Sequence, residues 1–165
     1  MEKIIERFNR SMDLLTAGLT IVTTEIEGRP WGLTVSACCR ISSQEPLLMV
    51  SLLTKTAAAE AIGQQGKFGV SLLNFAQRDT ANAGAKPGVP KFFEMYVSPH
   101  ADGSTYLIKG ALAHVHCSVE ERFETGDHTL FVGRAEEVTM DDGNENSEMP
   151  LLYFNRQFGT FTGFR

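Results

Sequence analysis

Cysteine is scarce in this chain: Cys38, Cys39 and Cys117 are the only three in 165 residues. An odd count with two adjacent is no disulfide framework, and the C-x-x-C spacing of metal or dithiol centres is missing. Reduced thiols in a cytoplasmic protein are the expectation. Free cysteine is most often a small buried hydrophobe, and that reading is preferred for Cys38 and Cys39 over a redox role. Basic charge is also short, with 15 Lys and Arg against 20 Asp and Glu and a net charge of −5. Phosphate binding along a nucleic acid needs a basic face, so this balance argues against such a partner. No apolar run approaches the ~20 residues of a spanning helix. Met1-Glu2-Lys3-Ile4-Ile5-Glu6-Arg7 has no uninterrupted apolar core and no cleavage site, so neither a signal peptide nor a membrane association is expected.

Several catalytic motifs are missing too. There is no G-x-G-x-x-G and no G-x-x-x-x-G-K-[ST], hence no standard dinucleotide or triphosphate fold. There is no G-x-S-x-G and no metal-spaced set of His, Cys and carboxylates, so hydrolase and metalloenzyme readings lack their parts and no metal is expected.

What is present reads as one domain over 1–165, since domains cluster near ~100–150 residues. A chain of this size buries roughly 68–70% of its unfolded surface and needs no staple. Ile4, Ile5, Phe8, Met12 and Leu15 recur at helical spacing, which predicts an amphipathic helix over 2–17 whose apolar face covers one end or face of the fold. Residues 19–24 and 31–37 read as a hairpin around Glu27-Gly28-Arg29-Pro30. Gly32 within the second strand marks a bulge or a close approach. Leu47 to Leu52 is a continuous apolar run, predicted as a strand buried on both faces. Thr54-Lys55-Thr56 then opens an Ala-rich helix over 57–63. A helix N-terminus with free N–H groups and an adjacent lysine suits an anion, although an ordinary capped helix has the same pattern.

Further on, 67–74 reads as a strand and 77–85 as a helix. Residues 85–104 form a long, weakly patterned stretch with Lys91-Phe92-Phe93, an aromatic pair beside a cation that suits the cover of a planar ligand. Strands follow over 105–113 and 114–119. Asp141 to Met149 reads as an acidic surface loop. A short helical turn and an aromatic tail close the chain. About seven strands with few helices predict a mainly β protein, a closed or partly closed antiparallel barrel.

One histidine stands out. In Gly126-Asp127-His128-Thr129-Leu130-Phe131-Val132-Gly133, turn chemistry feeds a β-branched and aromatic strand, and His128 sits at the junction. A strand fixes its position while the turn leaves it open, and imidazole changes charge near neutrality. Locally, a polar edge residue explains it as well.

Six segments in order resemble the flavin reductase-like family of FMN-binding split barrels, the short-chain NAD(P)H:flavin oxidoreductases and their flavoredoxin-like relatives. They are residues 15–24, 32–37, 41–42 with 46–52, 68–73, 126–133 and 150–154. The resemblance implies a Greek-key split barrel with flanking helices, FMN as cofactor with FAD as the other candidate, and NADH or NADPH as co-substrate. It implies a homodimer with the flavin near the subunit interface, and a monooxygenase or redox protein as acceptor. By the same resemblance Thr34, Val35, Ser36 and Ala37 form the strand facing the flavin ring. Ser51 and Leu52 lead to the phosphate turn Thr54-Lys55-Thr56, and Lys91 and Phe92 belong to the covering loop. His128 is the histidine on the nicotinamide side, with Tyr153 and Arg156 in the tail that flanks it. The chain departs from the family at Ala37-Cys38, where Ser-Phe is usual, at Cys39-Arg40, at Ala58 in place of Thr, and at Ser71 in place of Asn. The leading expectation is an NAD(P)H-dependent flavin reductase. The alternatives are a flavoredoxin-like FMN carrier reduced by a protein partner, and a binding module that has lost its chemistry.

Overall fold

The computed structural model describes residues 1–100, 103, 105–140 and 149–163. Apart from Met149, the expected acidic loop lies outside the described residues. Helix α1 (Glu2–Asp13) opens the chain, followed by β1 (Ala17–Gly18) and the hairpin β2 (Thr20–Ile26) and β3 (Arg29–Val35). Glu27 and Gly28 turn that hairpin with φ of 54° and 71°. Two left-handed residues are what a tight turn matching the strand twist requires. Short β4 (Cys38–Arg40) and longer β5 (Leu47–Leu53) come next, then α2 (Ala57–Gln65) and β6 (Lys67–Leu72). A 3-10 turn (Phe75–Gln77), capped reciprocally by Asn74 and Gln77, leads into α3 (Arg78–Ala85). The expected long stretch contains β7 (Val97–Pro99), which pairs with β8 (Tyr106–Ile108). Strands β9 (Ala113–Thr125) and β10 (His128–Met140) make a long two-stranded arm, and β11 (Leu152–Phe154) and β12 (Gln157–Gly159) end the fold.

Seven strands form one antiparallel sheet in the order β3-β2-β6-β9-β10-β5-β4. The two edge strands are consecutive in sequence and separated only by Ser36 and Ala37. A flat sheet of seven strands would place its edges more than 25 Å apart, at ~4.8 Å per strand. Two residues cannot span that, so the sheet curls into a half-barrel. The Ser51 N–H donates to the Ala37 carbonyl at 3.0 Å and ties the linker to β5. The mainly β, split-barrel expectation is met.

Inside the curl lie Val22, Val35, Val50, Leu52, Phe68, Val70, Cys117 and Phe131, capped by Ala59 and Ile62 of α2. A second cluster on the opposite side of β2 joins Leu19, Ile21, Phe93, Ile108 and Leu151 to Ala81 of α3. The strand buried on both faces is therefore β2, not β5. In β5 Val50 and Leu52 are buried, Leu47, Leu48 and Met49 are half-buried and Leu53 is exposed, because α2 covers only the inner face. Gly32 does mark a close approach: a Cβ there would stand 2.7 Å from the Phe93 ring.

Two further expectations fail. Helix α1 covers no end or face of the fold among the described residues: it has no buried residue, and Ile4, Ile5, Phe8 and Met12 are exposed. It also stops at Asp13, well before Gly18, because the chain turns at Leu14 into β1. The tail has no helical turn. Asn155 and Arg156, at φ 48° and 62°, make the tight turn of the β11–β12 hairpin.

Gly133 sits where the β9–β10 register shifts, and a Cβ there would stand 2.5 Å from the Phe68 ring and 3.0 Å from Cys117 Cβ. Phe68 is fully buried and cannot yield cheaply. Gly133→Ala should destabilise the protein by about 1–3 kcal/mol, as overpacking of a filled core does. Gly159→Ala, which meets nothing within 4 Å, serves as the control. Urea midpoints compare the two.

Candidate active site at the barrel seam

The seam where β3 and β4 meet holds the first group of residues singled out in the sequence, Thr34 to Ala37 with Ser51 and Leu52. Ser36 and Ala37 are exposed and small. Thr34 is partly buried, and its hydroxyl donates to the Ala81 carbonyl at 2.6 Å, which fixes α3 against β3. The side chains of Val35 and Leu52 are in the core, so only their backbones face the seam. Ser51 joins the seam through the bond to Ala37.

The end of β5 brings in the second group. Thr54 N–H donates to the Asp127 carbonyl at 2.9 Å, and the Thr54 and Thr129 hydroxyls are 3.0 Å apart. These bonds lock the turn before α2 to the turn before β10. Thr56 is the helix N-cap: its hydroxyl accepts from the Ala59 N–H at 3.2 Å and donates to the Leu53 carbonyl at 2.8 Å. The first amides of a helix have no intrahelical acceptor, so those of Ala57 and Ala58 remain for an anion. Lys55 is exposed beside them. A pocket of about 500 Å³ opens here, lined by Leu53 to Thr56 and by Glu124, Gly126 and Asp127. Its charge is mixed, a feature the sequence pattern did not reveal.

His128 is the first residue of β10, opposite Leu53 of β5 and Thr125 of β9. Its side chain is 42% exposed, and its Nδ1 lies 2.7 Å from Asp127 Oδ1. A carboxylate only accepts, so Nδ1 carries the hydrogen and Nε2 is the nitrogen left for a ligand. The same hydrogen bond, first among the causes, holds the Asp127 carboxyl below its usual range. The pair is thus kept above that range and lost as acid protonates Asp127. Asp127 was read only as a turn residue; its place immediately before a candidate histidine was the available signal.

The remaining candidates lie farther along. The Lys91 carbonyl accepts from the Gly32 N–H at 3.0 Å, two residues before Thr34. Phe92 is already occupied: it meets Trp31 edge-on at 5.0 Å, and the Arg29 guanidinium lies 3.5 Å over its ring. Tyr153 pairs with Ala17 and packs on Phe158 at 5.8 Å. Arg156 binds Asp13 at 2.8 Å and is 72% exposed. The tail still reaches the Ser36–Ala37 end of β3, because β1 runs on into β2, whose Thr20 pairs with Val35. Between seam and tail lies an apolar groove of about 410 Å³, lined in part by Gly18, Cys38, Cys39, Leu48 and Leu151. Burial, with Cys39 adding to it, pushes the Cys38 thiol up to about 11, so it stays a thiol rather than a nucleophilic thiolate. Cys117 is buried in the core and pushed up to about 12, mainly by desolvation. No group of three or more His, Cys, Asp or Glu fit to hold a metal occurs among the described residues.

Set against known proteins, residues 12–162 match the model of the flavin reductase like domain. The chain belongs to the flavin reductase-like family. It is 31% identical to the reductase component of a 4-nitrophenol 4-monooxygenase/4-nitrocatechol 2-monooxygenase from Rhodococcus opacus, over 96% of this chain and 82% of that one. It is 30% identical to an NADH flavin reductase of Kitasatospora aureofaciens, over 93% and 80%. Among solved structures it resembles component B of a nitrilotriacetate monooxygenase from Mycobacterium thermoresistibile, with TM-score 0.87, 26% identity and coverage of 98% and 89%. A Streptomyces globisporus NADH:FAD oxidoreductase in complex with NAD and FAD fragments matches with TM-score 0.86, 25% identity and coverage of 98% and 95%. As a member of this family the chain is an NAD(P)H:flavin oxidoreductase. No helix among the described residues is long and apolar enough to cross a membrane.

Thr56 serves both the fold and the seam. Thr56→Ala should cost about 1 kcal/mol of stability through the lost cap, and Thr56→Ser should restore most of it. Urea denaturation of the three proteins gives the measurement.

Proposed function

We propose that this flavin reductase works at the barrel seam, as a single domain over 1–165. The supporting observation is that Ser36–Ala37, Thr54–Thr56 and His128, from three separate segments, are tied into one edge by the bonds Ser51 N–H to Ala37 O and Thr54 N–H to Asp127 O. The residues present fit a flavin. Ser36 and Ala37 are small enough for a flat ring to approach the backbone, and the α2 amides with Lys55 suit its phosphate. FMN is the cofactor proposed, with FAD as the second candidate, and NADH or NADPH as donor. When bound, the flavin supplies hydride-accepting chemistry, and the protein supplies position and electrostatics. His128, held by Asp127 with Nε2 outward, orients the nicotinamide. Lys91 and Phe92 border β3, and Tyr153 and Arg156 flank the seam from the tail.

The reduced flavin serves a partner monooxygenase, a role that the names of similar proteins support. The protein acts in the cytoplasm as a homodimer. Helix α1 supports the dimer, for it presents Ile4, Ile5, Phe8 and Met12 to solvent, and such a stripe is normally buried against a partner.

The visible spectrum of the purified protein, followed by anaerobic NADH and NADPH, tests the reading. Added or bound flavin should bleach with at least one donor. A yellow protein that neither donor bleaches would instead be the flavoredoxin-type carrier, and a colourless one that ignores added FMN a binding module. His128→Ala should slow NAD(P)H oxidation by at least tenfold while flavin affinity changes by less than threefold, in keeping with the ~10²–10⁴-fold effects of positioned catalytic groups. Equal turnover at saturating flavin and donor would remove His128 from the site. Light scattering tests the dimer: Phe8→Asp should halve the mass seen for the wild type.

A further inference from the structure

Three of the four histidines lie away from the seam, in a buried polar layer between the main sheet and the β7–β8 pair. His114 and His116 project from β9. Their register partners are Ser71 and Gly69 on β6 and Thr139 and Glu137 on β10, so these side chains share one face. The β7–β8 pair is hydrogen-bonded to that face. The Thr23 hydroxyl donates to the Tyr106 carbonyl at 2.5 Å, and the Ile108 N–H donates to Ser71 Oγ at 3.0 Å. Thr105 Oγ1 and His116 Nδ1 are 2.8 Å apart. His100 Nε2 lies 3.1 Å from Glu137 Oε2, and the His100 ring stacks on His116 at 4.2 Å.

Ser71 joins His114 to the β7–β8 pair. Its Oγ accepts from the Ile108 N–H and lies 2.9 Å from His114 Nδ1. A neutral imidazole satisfies that contact as acceptor or as donor, since a hydroxyl has one hydrogen and two lone pairs. His114 Nε2 is buried with no partner among the described residues, in a residue only 4% exposed. A buried polar nitrogen left unpaired calls for an explanation.

We propose that His114, acting through Ser71, is a pH-sensitive latch that holds the β7–β8 pair on the sheet when neutral and releases it when protonated. Protonation gives the ring a buried charge and two N–H donors. Ser71 Oγ accepts the one from Nδ1 only alongside the Ile108 N–H, and Nε2–H has no acceptor among the described residues. Burial opposes the charge first, and His100 and His116 add repulsion, so His114 is pushed from the ordinary histidine value of 6.5 down to about 4. Glu137, the one carboxylate on this face of β10, is engaged by His100. On the β2 and β8 side, the Glu25 carboxylate accepts from the Tyr106 phenol, which burial and Glu25 push up to about 12 and keep neutral. Ser71, Thr23, Thr105 and Thr139 carry no charge. A released pair exposes His114 at its ordinary value, so the released state binds more protons between about 6.5 and 4. The docked state is favoured without change above that window, and loses up to about tenfold per pH unit as pH falls through it. The latch does not depend on the flavin reading.

Amide hydrogen exchange at pH 7.5, 6.0 and 5.0 tests it, with protection factors corrected for intrinsic rates. Protection at Ile108 should fall at least fivefold between pH 6.0 and 5.0 while the amides of the β2–β3 hairpin hold. His114→Gln, whose side-chain amide both donates and accepts toward Ser71 and does not titrate, should flatten the response. Constant Ile108 protection in the wild type, or an undiminished fall in the variant, would overturn the latch. An NMR titration of the wild-type His114 ring gives a second measurement: a midpoint well below 6 supports it, and one near 6.5 overturns it.

Discussion

Closure of the curled sheet on itself is the constraint on which the rest depends. Strands β3 and β4 are the two edges of a seven-stranded sheet, yet only Ser36 and Ala37 join them. The hydrogen bond from Ser51 to Ala37 turns that covalent link into a seam. The inner faces of β2, β5, β6, β9 and β10 then have one volume to fill, and Phe68 and Phe131 fill it. Helix α2 caps the inner side of the seam, and the outer side of β5 is left partly exposed among the described residues. A backbone edge with small residues is left open beside a helix N-terminus. The candidate site thus lies where the barrel leaves its edge open.

The same closure fixes His128. Its register partner is Leu53, the last residue of β5, so a histidine at the start of β10 must lie beside the turn that opens α2. The bonds of Thr54 with Asp127 and Thr129 make the two turns one unit. A change in the β9–β10 turn would therefore move the histidine and the candidate anion site together. Asp127 contributes twice, through its carbonyl to Thr54 and through its carboxylate to His128. That is a physical reason for an acidic residue in a pocket that otherwise suits an anion.

Much of this was legible in the chain. Alternation and turn residues located the β2–β3 hairpin, β5, α2 and the start of β10, because each is decided by local chemistry: Glu27-Gly28 at left-handed φ, Thr56 as a cap, Gly126 before a β-branched run. Burial was less legible where it depends on what lies opposite. An apolar run such as Leu47 to Leu52 reads the same whether its outer face is covered or bare, and only the topology shows that β2 rather than β5 is the two-sided strand. The tail read as a helical turn, yet Asn155 and Arg156, neither of them glycine, adopt left-handed φ in a hairpin. Pairing between distant segments, such as Trp31 and Arg29 enclosing Phe92, has no local signature at all.

The residues read from the sequence as departures from the family pattern differ in how the fold holds them. Ala58 is buried in the α2 packing, where a larger or polar side chain would compete with the core. Ser71 accepts from the Ile108 N–H and contacts His114, so the short hydroxyl links the β7–β8 pair to the face of the sheet opposite the barrel interior. Cys38 and Cys39 alternate across β4, one half-buried with a raised pKa and one exposed, as successive residues of a strand must. Adjacent in sequence, the two side chains point to opposite faces, which favours separate packing roles over a dithiol. Ala37, read as another departure, closes the seam through its backbone carbonyl, which accepts from the Ser51 N–H whatever side chain stands there.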